Sequence, residues 1–289
     1  MPSKSKLGQN FLRDDQAIGR IVAALGDCSD RTVVEIGPGT GAITRELAAK
    51  AGKVLALEYD RELASRLTAE LSGGPAQQGA VSVQSKVEVI TIDVLSFDFA
   101  AAAAAANQRL IVVGNLPYYI TSPILLRLAE YADVLDRAVL MVQREVADRV
   151  AGVPGSRDYG LLSVAVQMHG PVEPLFTLPP SAFSPPPEVY STVFRWRFAP
   201  RFKELEVDRK PFLKFLRQIF AAKRKTLANN LRAAGVDPSM VADALSKADI
   251  DLKARAEAVS VESLAALWRI LKTNGATPKN EVAPLIDLS

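Results

Sequence analysis

Asn115-Leu116-Pro117-Tyr118 carries the most specific chemistry in the chain, because it follows directly on the apolar run 110–114. An Asn side-chain carbonyl and the backbone carbonyl of Leu116 can accept both hydrogens of an exocyclic amine such as that of adenine. The lone pair of that amine is otherwise delocalised into the ring, and holding its hydrogens helps to localise it. Pro117 fixes its own φ, removes a competing donor and keeps Leu116 extended. Tyr118 offers a ring face for a base, worth about 1–3 kcal/mol in single-stranded nucleic-acid binding. A paired adenine hides its amine, so the target must be unpaired or flipped out. Methylating such an amine needs no strong base, since its proton becomes acidic once the methyl has arrived and water can remove it. The one histidine, His169, ends an apolar run and reads as structural. No Cys/His cluster has metal-ligand spacing, so no metal is expected.

A second constellation lies upstream. Val33-Val34-Glu35-Ile36 runs into Gly37-Pro38-Gly39-Thr40-Gly41, a strand entering a glycine-rich turn that lets the backbone approach a ligand closely. Alone, G-x-G-x-G suits several nucleotide cofactors. A dinucleotide fingerprint would place its third glycine one residue later and a pyrophosphate at the helix N-terminus. Glu35 would repel a pyrophosphate but suits a cofactor bearing an amino-acid ammonium. Glu58 ends the next strand, 19 residues after Gly39, near the ~20-residue spacing at which an acid accepts from ribose hydroxyls. Asp93 ends a third strand. Each acid singly would serve as a helix cap; three at successive strand ends point to a ligand at the carboxyl edge of a sheet.

The elements that must position these residues alternate. Segments 32–36, 54–58, 87–92, 110–114 and 138–142 read as buried strands, and 44–51, 61–72, 122–131 and 144–151 as the helices between them. That rhythm means βαβ units and a parallel sheet. Two further strands are expected at 162–168 and 191–197, and the alanine run 100–106 reads as a helical connector. From about residue 200 only amphipathic helices are predicted, at 211–222, 225–233, 238–247 and 261–273, with Asp237-Pro238 as a helix start. Expected domains are therefore 1–199, 200–273 and a loose tail, 274–289.

With 289 residues, 48% hydrophobic and 23% charged, the chain is globular and exceeds a usual single domain. The single Cys28 cannot form an internal disulfide, and no apolar run has the length of a signal peptide or a membrane span, so a cytoplasmic protein is expected. The net charge of +3 is uninformative, but its distribution is not. Residues 201–289 carry 16 Lys and Arg against 11 Asp and Glu, while the remainder carries 19 against 21. A positive C-terminal third suits a polyanion, and equally a solvated helical surface.

In sum the motifs resemble the KsgA-type ribosomal RNA adenine dimethyltransferases. The likeness rests on Gly8-Gln9-Asn10-Phe11-Leu12, Glu35 to Gly41, Leu57-Glu58-Tyr59-Asp60, Asn115 to Ile120, and Ser181-Ala182-Phe183-Ser184-Pro185-Pro186-Pro187-Glu188-Val189. Lys223-Arg224-Lys225-Thr226-Leu227 also resembles the basic helix of that family. The resemblance implies a Rossmann-like class I methyltransferase α/β sheet with a smaller all-helical C-terminal domain, and S-adenosylmethionine as methyl donor. It implies that Asn10 and Leu12 contact the cofactor, Gly37 lies under its amino-acid end, Glu58 holds its ribose and Asp93 reads its adenine. Asn115 is shared with the target amine, and Phe183 closes on the base opposite Tyr118. Arg217, Lys223, Arg224 and Lys225 are the RNA-binding candidates. The implied product is dimethyladenosine at two adjacent adenines in the 3′ hairpin of 16S rRNA within the assembling small subunit, made by a monomer. Tyr119 departs from the asparagine of many members.

Three other readings compete. An Erm-type large-subunit enzyme usually breaks the proline run with a basic residue, whereas Pro185-Pro186-Pro187 is intact here. A non-catalytic RNA-binding assembly factor would not need the intact Asn115–Tyr118 loop. A dehydrogenase is disfavoured by the early third glycine.

Overall fold

A computed structural model describes residues 10–72 and 86–278. The basic N-terminus, Gly8 and Gln9 of the first motif, and residues 279–289 of the expected tail lie outside the described residues. Among the described residues, one compact unit takes the chain up to Ala147 together with Pro171–Phe198. A second takes Asp148–Gly170 and the chain from Ala199 onward.

The first unit is built on a seven-stranded sheet in the order β4-β3-β2-β5-β6-β9-β7. Its strands are β2 (Thr32–Ile36), β3 (Lys53–Glu58), β4 (Val87–Thr91), β5 (Leu110–Asn115), β6 (Leu135–Gln143), β7 (Val172–Leu178) and β9 (Ser191–Arg197). β4, β3, β2, β5 and β6 pair in parallel, and β9 runs antiparallel between β6 and β7. All five residues of β2 are buried, as in a strand covered on both faces. Helices α1 (Asp15–Ala24), α2 (Ala42–Lys50), α3 (Arg61–Ser72), α4 (Phe99–Ala106) and α5 (Thr121–Glu130) belong to this unit, and α6 (Arg144–Val150) begins in it directly after β6. Ile18, Ile21 and Val22 of α1 and Ile43 and Leu47 of α2 join Val33, Ile111, Val113 and Val139 in one core cluster. Two short strands, β1 (Phe11–Leu12) and β8 (Phe183–Ser184), pair separately in antiparallel register.

From β2 the chain steps outward through β3 and β4, then returns to place β5 on the other side of β2. The strand order therefore reverses between β2 and β5, and in open α/β sheets the crevice at such a reversal receives ligands.

Several expected elements need correction. Residues 162–168, predicted as a strand, form the helix α7 (Leu161–Gln167) and its C-cap Met168, and Val164 N–H bonds Gly160 O at 3.1 Å. Leu162 to Val166 are all buried, and a short apolar run buried all round has no period to separate strand from helix. β7 was not anticipated, because Pro174 argues against a strand. It sits on the edge strand beside a register irregularity, where proline is tolerated. Nor was α1 predicted, although Asp14 caps it by accepting from Ala17 N–H at 3.0 Å.

The second unit is helical: α7, α8 (Arg209–Phe220), α9 (Leu227–Ala233), α10 (Pro238–Lys247) and α11 (Val261–Thr273). Its core joins Tyr159, Val164 and Met168 to Phe212, Phe215 and Trp268. Those apolar contacts assign 148–170 to this unit rather than to a domain spanning 1–199. Lys223-Arg224-Lys225, expected in a helix, form the turn between α8 and α9, because Thr226 caps α9 by accepting from Asn229 N–H at 3.3 Å.

Candidate active site

The glycine turn closes the gap between β2 and α2 by using backbone that side chains rarely adopt. Gly37, Gly39 and Gly41 have φ of +67°, +56° and +77°. At Gly39 a Cβ would also sit 2.9 Å from the Phe11 ring, so the turn and the N-terminal segment approach as closely as glycine allows. Glu58 locks the turn from the next strand. Its carboxylate accepts from Gly39 N–H at 3.0 Å and from Asp60 N–H at 2.9 Å. Burial nevertheless raises its pKa, and those two backbone donors only partly offset the effect.

Across the strand reversal, β5 delivers the second loop. Ile36 pairs with Gly114, which sets Asn115 beside the glycine turn. The Asn115 amide donates to Asn10 O at 2.9 Å. That bond turns its carbonyl oxygen into the remaining acceptor. Leu116 is buried, and its N–H bonds Met141 O at 2.9 Å. Thr121 Oγ1 donates to Pro117 O at 3.0 Å. Tyr118 is held at its tip, with its hydroxyl 3.0 Å from Ser191 Oγ at the start of β9.

These parts surround a cavity of about 380 Å³, within the range of small-molecule sites. Its walls include Asn10, Gly37, Gly39, Glu58, Asp93 and Asn115, drawn from five separate stretches of chain. Leu116, Pro117 and Tyr118 also line it. Asp93 accepts from Leu95 N–H at 2.9 Å, capping a short helical turn while facing the cavity. The spacing of the acids did not reveal the apolar and aromatic wall. Phe11, Ile92, Leu95 and Tyr59 line the same space, and the motif around Glu58 was the only hint of Tyr59. Tyr59 and Tyr119 expose 65% and 60% of their surface at the cavity, unusual for aromatic side chains. Partial burial and the charges of Tyr59, Asp93 and Glu58 raise the Tyr119 pKa.

Four expected contacts lie off the cavity wall. Glu35 is only 1% exposed and is not part of the cavity wall. Alternation along β2 turns it toward Thr44 of α2, and its Oε2 has no hydrogen-bond partner among the described residues. Burial pushes its carboxyl up to about 7, and the nearby Glu58 charge adds to the rise. Leu12 and Phe183 are also buried and outside the lining. They pair with each other across β1 and β8, and Arg13 N–H extends the ladder to Ala182 O at 2.9 Å. Phe183 therefore holds the N-terminal segment in place through the β1–β8 pair.

Gly41 also lies off the cavity wall and starts α2; a Cβ there would come 2.5 Å from Leu67. In the helical unit Lys223, Arg224 and Lys225 are exposed and make no ion pair among the described residues. Arg217 on α8 is half-buried, and desolvation lowers its pKa. His169 is buried, with Nδ1 2.7 Å from Ala165 O. Among the described residues no group of three or more His, Cys, Asp or Glu could hold a metal ion. No helix there is long and apolar enough to cross a membrane.

Residues 2–273 match the family described as ribosomal RNA adenine dimethylase. The chain belongs to that family. The dimethylase is 55% identical over 269 residues to the ribosomal RNA small subunit methyltransferase A of Acidobacterium capsulatum, covering 93% of this chain and 91% of that one. Its counterpart in Koribacter versatilis is 45% identical over 280 residues, with coverage of 93% and 94%. Among solved structures, a dimethyladenosine transferase from Plasmodium falciparum is similar in fold at TM-score 0.77 and 22% identity, covering 93% of this chain and 100% of that one. The 23S rRNA methyltransferase ErmE is similar at TM-score 0.69 and 28% identity, with coverage of 91% and 100%. The Rossmann-like methyltransferase sheet and the helical C-terminal part of the dimethylase agree with these neighbours.

Proposed function

We propose that the enzyme transfers methyl groups from S-adenosylmethionine to the N6 amines of two adjacent adenines in the 3′-terminal hairpin of 16S rRNA, acting as a cytoplasmic monomer on the assembling small subunit. The observation that carries the reading is the placement of Asn115. Its amide is tied to Asn10 O, leaving its carbonyl oxygen as the free acceptor beside the glycine turn at the strand reversal. The small-subunit names of the relatives and the intact Pro185–Pro187 run support this RNA over that of the large subunit.

S-adenosylmethionine, when bound, supplies a methyl group on a positively charged sulfur. The residues present fit such a group. Gly37 and Gly39 open the turn to its amino-acid end, and Glu58 and Asp93 offer acceptors to its hydroxyls and its adenine amine. Glu35 lies buried behind the turn without lining the cavity. Asn115 and Leu116 accept the two hydrogens of the target amine, and Tyr118 stacks on the base. Phe183 acts as a positioning residue through β1. Lys223, Arg224 and Lys225 meet RNA phosphates.

Replacing Asn115 by Ala should lower methyl transfer to unmethylated small subunits by at least about 100-fold, on the scale of losing one oxyanion-hole donor. RNA association measured by filter binding should survive. Turnover within a few-fold of the parent would contradict the assigned role.

A further inference from the structure

The loop that follows Phe183 ends on Val189 and Tyr190, which expose 42% and 49% of their surface. The half-exposed Tyr190 offers a ring face for stacking next to the catalytic loop. Beside it stands Arg144, also exposed, with its guanidinium carbon 5.6 Å from the centroid of the Tyr190 ring. That separation lies within cation–π range. The pair is built into the sheet edge: β6 and β9 end on the register pair Gln143↔Ser191, and the Arg144 N–H continues the ladder to Tyr190 O at 2.9 Å. Among the described residues no carboxylate forms an ion pair with Arg144.

Position relative to the target follows from register. Asn115 pairs with Met141 two residues before β6 ends, and Arg144 opens the helix that follows directly on Gln143. Tyr190 precedes Ser191, the residue that anchors the Tyr118 hydroxyl. Arg144 and Tyr190 thus flank the end of β6 and the start of β9, next to the residues that hold Asn115 and Tyr118. An RNA strand whose target base lies against Tyr118 would bring its neighbouring nucleotide past Ser191 to Tyr190.

We propose that Tyr190 and Arg144 form a stacking platform for the nucleotide flanking the target adenine, the ring taking the base and the guanidinium its phosphate. The proposal rests on the RNA reading above. It accounts for an aromatic and a cation held together, unpaired and half-exposed, beyond the catalytic loop.

The test compares the full chain with Tyr190→Ala, Tyr190→Phe and Arg144→Ala on unmethylated small ribosomal subunits. Tyr190→Ala should raise KM for the subunit about tenfold, equivalent to about 1.4 kcal/mol and within the range of base–aromatic stacking. Its kcat, its melting temperature and its affinity for S-adenosylhomocysteine should stay close to the parent values, and Tyr190→Phe should recover most of the KM. Arg144→Ala should raise KM and reduce the salt dependence of binding by about one phosphate contact. An unchanged KM in Tyr190→Ala, with the parent methylating normally, overturns the platform alone. A parent that methylates no adenine overturns the functional reading and the platform with it.

Discussion

At the residue scale, Glu35 is the sharpest physical statement in the site. Burial holds its carboxyl at about 7, against an ordinary 4.5. An acid raised in this way binds more protons folded than unfolded between those two values. Stability is therefore greatest below about 4.5 with respect to this group, and it falls as pH rises through about 7. Glu35→Gln removes the charge and keeps the shape. It should raise the melting temperature of the cofactor-free protein at pH 8 by roughly 5 °C, from a penalty of order 2 kcal/mol, and much less at pH 5. A gap that is the same at both pH values in scanning calorimetry would show that burial does not bias this carboxyl. Asn115, Gly37, Glu58 and Asp93 were legible in the sequence because their chemistry is tied to strand ends. The burial of Glu35, Leu12 and Phe183 was not, because it depends on which face of β2 meets α2 and on a two-residue ladder joining segments over 170 residues apart.

At the element scale, the site depends on how closely β2 and β5 approach at the strand reversal. Gly114 lets them do so: a Cβ there would lie 2.7 Å from Ile36 O, a backbone atom that cannot swing aside. Gly114→Ala should cost about 1–3 kcal/mol, as overpacking does, and lower the melting temperature by about 2–4 °C per kcal/mol. It should also weaken S-adenosylmethionine binding measured by calorimetry, since Asn115 is the next residue. A variant with parental stability and affinity would mean that the two strands can separate without disturbing the loop. The parallel core was legible because covered strands are continuous apolar runs between helices. The return through 161–178 was not. A helix buried all round has no period, Pro174 masks an edge strand, and a cap at Thr226 turns a basic run into a turn.

At the scale of the whole molecule, the charge asymmetry of the sequence finds a location in the helical unit. Several cations there are paired with carboxylates. Arg201 pairs with Glu204 and Glu262, Lys247 with Asp243, and Lys272 with Asp208. Lys223, Arg224 and Lys225 remain exposed together in one turn. Replacing all three by Ala should flatten the slope of log affinity for small-subunit RNA against log salt by about two to three units, at roughly 0.7–0.9 per phosphate. An unchanged slope in a salt titration would place that turn against solvent.

The central claim concerns which RNA receives the methyl groups. Unmethylated small and large ribosomal subunits are incubated in parallel with the enzyme and labelled S-adenosylmethionine, and the modified nucleotides are mapped. The account predicts dimethyladenosine at two adjacent adenines of the 3′ hairpin in small-subunit RNA and no label in the large subunit. Label confined to an adenine of large-subunit RNA, or no transfer to either, would contradict it.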